Sequence, residues 1–592
     1  MNRHAWRTGF GAFPEGGETS FRIWAPGVAE IALVREGAAP EPLRKGADGF
    51  FTLTRAAAAG TRYRYQLPDG QAVPDTASRA QSGDVHGWSV VVDPSAYAWK
   101  NTAWHGRPWH EAVIYELHAG TAGGFAGIEA DLDRLRALGI SFVEIMPVAD
   151  FPGRHNWGYD GVLPYAPDEA YGTPDAFKSL IDAAHGRGLG VILDVVYNHF
   201  GPDGNYLSAY APQFFRDDVP TPWGAAIDFR RREVREFFIQ NALMWLMEYR
   251  LDGLRFDAVH AIASPDFLPE LASRIRATVE PGRRIALVLE HEGNKASLLT
   301  HHFDAQWADD WHHCVHVLLT GEKEGYYEDF QDSARLLARC LREGFAYQGE
   351  VSPHTGRPRG EKSADLPPTA FVICLQNHDQ VGNRAFGERL ATLADPEALR
   401  AAMALLLLGP EIPLLFMGEE WASTTPFLFF TDHGADLAAK VNEGRRQEFR
   451  RFPAFADPET RARIPEPNDP ATFRASIPDR EQLTEPAHAD FLAMVQALLA
   501  LRGAEIAPRI PGARSLEAAP IGPGAVCARW RLGDGAELTI AANLARAATG
   551  IRAPAAKLLF ESRPDAAATA GEGRLPAQTT IAWLAPAVPA AA

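Results

Sequence analysis

Two patterns of apolar and polar residues divide the chain. Through about residue 95, short runs in which apolar and polar positions alternate are separated by Gly and Pro turns, as at residues 19–24, 30–34 and 61–67. A period of two predicts half-buried strands, and frequent turns between them are typical of a small β-sandwich. We therefore predict an amino-terminal β-sandwich domain over residues 1–95.

From about residue 111, apolar runs alternate with segments whose apolar residues recur every three or four positions. These are the patterns of buried strands and amphipathic helices in repeated βα units. Eight such units predict a (β/α)8 TIM barrel, which we place within residues 96–490, with residues 96–110 as a linker. The eight candidate strands lie at residues 112–118, 141–147, 191–199, 253–256, 285–289, 303–307, 371–375 and 413–417.

The end of the chain returns to short alternating runs. A helix predicted at residues 491–502 is followed by two runs that flank Gly533-Asp534-Gly535, a strong hairpin signal. We predict a carboxy-terminal β-sandwich domain over residues 491–592, so the fold class is α/β, with a barrel between two β domains. Long connections at residues 200–230 and 420–490 follow the third and eighth strands, where barrel loops usually form binding surfaces.

Polar side chains stand at the ends of four predicted strands. Asp194 lies in the third predicted strand. Asp257 and Glu290 follow the fourth and fifth strands, and Asp379 follows the seventh. Because the carboxyl ends of barrel strands converge on one face, these carboxylates are predicted to share one pocket. Each alone could be a helix cap, a loop ion pair or a satisfied buried group, but their recurrence favours chemistry.

Clustered carboxylates beside His and Arg suit either metal-assisted hydrolysis or glycoside cleavage. A glycosidase needs one ionised carboxylate as nucleophile and one protonated carboxyl group as acid. Arg255 lies two residues before Asp257, on the same strand face, and is expected to keep Asp257 ionised. Burial and neighbouring carboxylates are expected to raise the pKa of Glu290, as an acid requires.

An aromatic segment, Asn156-Trp157-Gly158-Tyr159-Asp160, follows the second predicted strand. We expect its rings to form a stacking platform for a sugar, and Asp379 to bind sugar hydroxyl groups nearby. The alternative for the aromatic segment is an ordinary tight turn whose rings belong to the core.

Composition narrows the class of partner. The net charge is −17 and no long run of Lys or Arg occurs, which argues against nucleic-acid and anionic-membrane partners and fits a neutral small substrate. The four cysteines are scattered without a CxxC pair, so reduced thiols are expected rather than disulfides or zinc. The first residues lack an apolar signal core and no apolar run approaches membrane-spanning length, which predicts a cytoplasmic protein.

The strand-end motifs, in this order, resemble those of the α-amylase superfamily (glycoside hydrolase family 13). Residues 21–26 also resemble the amino-terminal β-sandwich of its branching and debranching members, an immunoglobulin-like domain of the carbohydrate-binding type. The resemblance implies a retaining glycosidase whose nucleophile and acid are about 5 Å apart. The matching motifs lie at residues 194–199, 254–260, 290 and 377–379.

The resemblance also implies roles for individual residues. Asp257 would be the nucleophile, Glu290 the general acid/base and Asp379 the stabiliser of the transition state. Asn198 matches a calcium ligand of many amylases, but branching-type relatives generally lack that site, so no metal or other cofactor is expected. The implied substrate-binding residues are Tyr159, Asp194, His199, Arg255, His260, His378 and Trp157.

Longer segments, at residues 156–162, 375–384, 416–433 and 464–473, resemble one subfamily that hydrolyses maltooligosyl-trehaloses. This implies cleavage of the α-1,4 bond next to a terminal trehalose unit, with maltooligosyl-trehalose and related α-1,4-glucans as partners. Two segments depart from the pattern: a short loop at residues 119–125, and His291-Glu292-Gly293 after the predicted acid.

Three alternatives stay open at this point. A branching enzyme or other α-glucan transglycosylase would pass the glycosyl group to a sugar hydroxyl instead of water. A catalytically silent glycan-binding protein could keep the same scaffold, although all three carboxylates are present. A metallohydrolase would lose activity on exhaustive chelation.

Overall fold

The computed structural model describes residues 4–221 and 224–587 and contains a closed barrel of eight parallel strands, which confirms the predicted fold class. The strands pair in chain order, and the first also pairs with the eighth. They are β1 (Ile114–Leu117), β2 (Phe142–Ile145), β3 (Gly190–Val195), β4 (Gly253–Phe256), β5 (Ala286–Leu289), β6 (Ala305–Trp307), β7 (Phe371–Cys374) and β8 (Ile412–Phe416).

The barrel interior changes from apolar to polar along the strands. A buried cluster that includes Ile114, Phe142, Ile192 and Leu414 fills the amino-terminal half. Because alternate residues of a strand face inward, the next inward positions of β1 to β3 are Glu116, Glu144 and Asp194. Apolar side chains therefore fill the amino-terminal half of the barrel, which we call the apolar plug. The inward-facing polar groups of these strands lie at the carboxyl end.

Helices surround the barrel where the apolar spacing predicts them. The second begins at Pro174 because Thr173 caps it, its side chain accepting the Ala176 N–H, and proline suits the first helical position. The longer helices are Gly124–Leu138, Pro174–Gly186, Arg232–Met247, Phe267–Thr278, Asp309–Thr320, Ser333–Glu343, Pro396–Leu408 and Pro486–Leu501, with Ala435–Glu448 in the loop after β8.

The amino-terminal region consists of two antiparallel sheets. Phe21 of one sheet contacts Tyr63 of the other with ring centroids 5.0 Å apart, so the apolar faces meet. Residues 96–110, predicted as a linker, are irregular but anchored, since Asp182 accepts the backbone N–H of Lys100. The sheets contain Gly11–Glu15, Glu18–Trp24, Phe50–Ala56 and Arg44–Lys45, then Glu41–Pro42, Ala32–Arg35, Arg62–Gln66, Trp88–Val90, Gln81–Ser82 and Ala72–Val73.

The carboxy-terminal region begins after the helix Pro486–Leu501. The helical segment 486–509 is, by length and composition alone, apolar enough to cross a membrane, contrary to the sequence expectation. Its residues Phe491, Val495 and Leu498 are buried against the rest of the protein, as in a core helix. The main sheet beyond it has the order Arg514–Gly522, Ala525–Arg531, Glu537–Asn543, Thr579–Ala585, Lys557–Glu561.

Loops after β2, β3 and β8 form the polar end of the barrel. Two of them carry hairpins, Ala149–Asp150 with Leu163–Pro167 and Phe215–Thr221 with Gly224–Ile227. The loop after β8 folds back on itself, since the side chain of Asn468 accepts the backbone N–H of His433 at 2.6 Å. These loops hold together sequence segments that are far apart along the chain.

Candidate active site

One guanidinium group binds three of the predicted carboxylates. Arg255 Nη1 lies 2.7 Å from Asp194 Oδ2 and 2.8 Å from Asp257 Oδ1, and Nη2 lies 2.8 Å from Glu290 Oε2. The Arg255 side chain is 1% exposed, and its guanidinium carbon lies 4.0 Å from the centroid of the Trp307 ring. The predicted pocket is therefore a compact cluster with one positive charge among three carboxylates.

Strand register explains this convergence. Asp194 of β3 pairs with Arg255 of β4, and one residue further on Phe256 pairs with Leu289 of β5, so Asp257 and Glu290 leave neighbouring strands at the same level. Ala258 then takes a left-handed backbone conformation, with φ +39°, which is costly for a residue with a side chain. That conformation accompanies a 2.8 Å hydrogen bond in which the Ala258 N–H donates to Glu290 Oε2.

The protonation preferences of the free site differ from the sequence expectation. Burial and the charge of Glu290 raise the pKa of Asp257 well above its ordinary value, despite Arg255. Burial alone would raise the pKa of Glu290, but Arg255 and the Ala258 N–H outweigh it and lower that pKa. The expectation was wrong because Arg255 is shared by both carboxylates and only Glu290 receives the additional backbone donor.

Asp379 lies at the start of the short helix His378–Gly382, among the charges of His378, Glu290 and Arg255. The amide of Asn383 donates to Asp379 Oδ1 at 2.6 Å, and Arg445 from the loop after β8 donates to Asn383 at 2.9 Å. Burial raises the pKa of Asp379, an effect that the nearby His378 opposes. This carboxylate is thus held by a side chain one helical turn away and tied to the long loop.

Tyr159 and His378 form one wall of the pocket. Their rings stack with centroids 5.1 Å apart, and the Tyr159 hydroxyl donates to Asp194 Oδ2 at 2.7 Å. Gly158 makes this turn possible, since its φ is +103° and a Cβ there would lie 2.0 Å from the Pro147 carbonyl oxygen. Tyr159 is partly exposed, so it can present its ring to a bound sugar.

Trp157 differs from the expectation of a sugar platform. It is only 5% exposed, stacks on Phe427 with centroids 5.3 Å apart, and donates its indole N–H to the Leu428 carbonyl. Its ring edge meets His378 at 5.5 Å. Trp157 therefore packs behind the wall formed by Tyr159 and His378. This agrees with the alternative interpretation of the aromatic segment, in which its rings belong to the core.

The two remaining predicted histidines lie at different depths. His199, beyond the end of β3, is 8% exposed and its Nε2 lies 3.0 Å from the Tyr159 carbonyl oxygen. His260 is exposed at the rim, with Nε2 3.7 Å from Glu292 and its ring 6.0 Å from that of His291. The segment at residues 291–293, which departs from the superfamily pattern, thus borders the pocket beside His260.

Sequence comparison agrees with the geometry. A family model described as "Alpha amylase, catalytic domain" matches residues 81–217, and one described as a domain of unknown function, DUF3459, matches residues 513–583. A malto-oligosyltrehalose trehalohydrolase from Deinococcus radiodurans is 40% identical over 516 residues, which span 85% of this chain and 84% of that protein. The chain belongs to the malto-oligosyltrehalose trehalohydrolase family.

Another trehalohydrolase of this family, from Saccharolobus solfataricus, is 40% identical over 445 residues, 72% of this chain and 78% of that protein. Among solved structures, a protein from Salmonella typhimurium described provisionally as an alpha amylase matches with a TM-score of 0.91 and 44% identity. That match covers 98% of this chain and all of the other. The similarity therefore includes the β regions on both sides of the barrel.

Three residues of this trehalohydrolase-family site were missed from the sequence. Glu116 Oε1 accepts a 2.6 Å hydrogen bond from His378 Nδ1, and its other oxygen accepts the His378 backbone N–H at 3.0 Å. Trp307 underlies Arg255, and burial together with Glu290 and Asp379 raises the pKa of Asp309 to about 8. The sequence did contain a signal for Glu116, since it is a charged residue at an inward-facing position of the otherwise apolar strand β1.

Asn198, which matches a calcium ligand of many amylases, is 3% exposed, and neither amide atom hydrogen-bonds to any residue in the described ranges. The described residues offer no group of three His, Cys, Asp or Glu side chains that could hold a metal ion. Calcium also accepts amide and backbone carbonyl oxygens, so the expectation that no metal is required stays a prediction.

Proposed function

We propose that this chain hydrolyses the α-1,4-glucosidic bond next to the terminal trehalose unit of maltooligosyl-trehaloses and releases trehalose. The observation that carries the proposal is 40% identity to a malto-oligosyltrehalose trehalohydrolase over 84% of that protein's length. The cluster of Asp257, Glu290 and Asp379 supplies the carboxylates that the reaction needs. Sharing one guanidinium keeps Asp257 and Glu290 close, as a retaining mechanism requires.

The proposed reaction has two steps. Glu290 protonates the departing glycosidic oxygen while Asp257 attacks the anomeric carbon, which forms a covalent glycosyl-enzyme and frees trehalose. Glu290, now ionised, accepts a proton from water, and that water releases the maltooligosaccharide from Asp257. Asp379 binds sugar hydroxyl groups and favours the distorted ring of the oxocarbenium-like transition state.

The pKa shifts of the free site run against what the first step needs. Burial and Glu290 raise the pKa of Asp257, whereas Arg255 and the Ala258 N–H lower that of Glu290. The first step requires an ionised Asp257 and a protonated Glu290. We propose that a sugar bound against Tyr159 displaces water, separates Glu290 from the Ala258 N–H, and leaves Arg255 to stabilise the ionised Asp257.

The product assay tests the function directly. Incubation with maltotriosyl-trehalose is expected to yield free trehalose and maltotriose, whereas maltopentaose under the same conditions is expected to react far more slowly. Chromatography of both mixtures with authentic standards measures this. Longer glucans without trehalose would indicate a transglycosylase such as a branching enzyme, and an unchanged substrate would contradict the proposal.

Glu116 is expected to act through His378. Burial by itself would lower the pKa of His378, but the Glu116 carboxylate outweighs it, so the pKa is raised and the imidazolium form is favoured. In Glu116→Gln that pKa falls, and the alkaline limb of kcat/KM against pH should move to lower pH. Loss of one charge-assisted hydrogen bond corresponds to about a 10- to 100-fold lower kcat/KM at pH 7.

Glu144→Gln is the matched control for this prediction. Glu144 pairs with Glu116 in the β1–β2 register and is equally buried at 1% exposure, but its carboxylate oxygens bond to no described residue. The control should leave the alkaline limb in place. Equal shifts in both variants would show that His378 does not depend specifically on Glu116.

A further inference from the structure

A cavity lies at the amino-terminal end of the barrel, opposite the carboxylate cluster. Its volume is about 440 Å³, and its walls include Phe142 and Ala286, the first residues of β2 and β5, together with the segments 107–110, 367–369 and 510–512. Ligand sites for small molecules typically occupy 300–1,000 Å³. The cavity is thus large enough for a small metabolite, and it is separated from the proposed active site by the apolar plug.

Four arginines line this cavity in a chain whose net charge is −17. The one lining carboxylate, Asp252, already accepts hydrogen bonds from Trp104 and the Val191 N–H and contacts His185 Nε2 at 2.9 Å. Arg107 and Arg276 pair with Glu111 at 2.8 Å and Asp304 at 2.5 Å. The remaining two arginines, Arg283 and Arg284, have no carboxylate contact shorter than 3.7 Å among the described residues.

Arg283 is buried without full charge compensation. Its side chain is 9% exposed, and its nearest carboxylate oxygen is that of Glu280 at 3.7 Å. It donates to the Leu251 carbonyl at 2.7 Å and to the Met247 sulfur at 4.0 Å. Burial accordingly lowers its pKa, although Asp252 and Glu280 act in the other direction. Buried charges are normally paired, so an anion in the cavity would complete the environment of Arg283.

Arg284 is exposed, and its guanidinium makes no hydrogen bond or ion pair with any residue in the described ranges. Its backbone N–H is tied to the His105 carbonyl at 2.8 Å, which fixes the base of the side chain. A guanidinium presents a planar fork of donors that matches two oxygens of a phosphate group. Because Arg283 and Arg284 both line the cavity, its charge favours an oxyanion with several oxygens.

The other walls favour an organic group attached to that oxyanion. Trp109 is held by a 2.9 Å hydrogen bond from its indole N–H to the Thr369 carbonyl, and Pro368 and Pro511 line the cavity with it. A rigid aromatic ring beside proline rings suits the apolar face of a sugar. We propose that this cavity binds a small sugar phosphate, with the phosphate on Arg283 and Arg284 and the sugar ring against Trp109.

Isothermal titration calorimetry of the full chain tests this proposal, with glucose 6-phosphate, inorganic phosphate and sulfate as probes and glucose as the blank. We expect one glucose 6-phosphate per chain and weaker binding of inorganic phosphate. Arg284→Ala should weaken binding of the ester about tenfold, the value of one charge-assisted hydrogen bond. Because the measurement requires no turnover, its failure is distinct from failure of the proposed hydrolysis.

Arg552→Ala is the matched control, since Arg552 is exposed in the carboxy-terminal region and does not line the cavity. It should bind the ester as the parent chain does. Absence of binding at millimolar ester overturns the proposal, as does equal binding by Arg284→Ala and the parent. Equal affinity for the ester, phosphate and sulfate would indicate an adventitious ion only and would overturn it too.

Discussion

Asp257→Ala is expected to lose at least about 10⁴-fold in kcat on maltotriosyl-trehalose, because it removes the carboxylate that we propose forms the glycosyl-enzyme. Asp257 is the carboxylate at the end of β4, and Arg255 Nη1 contacts its Oδ1 at 2.8 Å. Alanine removes the nucleophile and leaves Arg255 paired with Asp194 and Glu290. Steady-state kinetics with trehalose release as the readout measure the loss, and an unchanged kcat would contradict the assignment.

Azide distinguishes loss of the nucleophile from general damage to the pocket. With α-maltosyl fluoride as an activated substrate, azide can enter the space left in Asp257→Ala and attack the anomeric carbon from the face that Asp257 used. One displacement inverts the configuration, so β-maltosyl azide is the expected product, identified by NMR. Formation of α-maltosyl azide would show that a glycosyl-enzyme still forms and that the nucleophile lies elsewhere.

Much of the barrel could be predicted because its strands are continuous apolar runs between amphipathic helices. The prediction for β4 matches its observed bounds, Gly253–Phe256, and the strand-end carboxylates converge because register follows chain order. β6 was placed only approximately, since it has three residues, Ala305–Trp307. The predicted carboxyl end, Trp307, is the observed one, but Asp309 lies two residues beyond it and its pKa is raised by burial and by Glu290 and Asp379 from other segments, which the sequence does not show.

Side-chain roles that depend on contacts between distant segments could not be predicted. Trp157 was interpreted as a platform because sequence shows an aromatic ring but not the loop after β8, whose Phe427 covers it. Glu116 and His378 are 262 positions apart, yet they share two hydrogen bonds. The lowered pKa of Glu290 likewise depends on Arg255 and on the Ala258 N–H, which donates to Glu290 from a left-handed backbone conformation that the sequence does not indicate.

The proposed role of Glu290 as acid predicts that the effect of its removal depends on the leaving group. If Glu290 donates to the glycosidic oxygen, its removal should matter greatly for a poor leaving group such as trehalose and little for fluoride, which departs without a proton. Glu290 is bound by Arg255 Nη2 at 2.8 Å and accepts the Ala258 N–H at 2.8 Å. Arg255 contacts both Glu290 and Asp257, which keeps the proposed acid close to the proposed nucleophile.

Glu290→Ala is therefore expected to lose about 10²- to 10⁴-fold in kcat/KM on maltotriosyl-trehalose, the usual range for general acid catalysis. On α-maltosyl fluoride with azide the loss should be less than about tenfold, since neither the departure of fluoride nor the attack of azide needs this proton. The expected product is α-maltosyl azide, because Asp257 and azide displace in turn and two inversions restore the configuration. Equal losses on both substrates would contradict the role of Glu290 as acid. They would indicate that Glu290 only pairs with Arg255 and shapes the pocket.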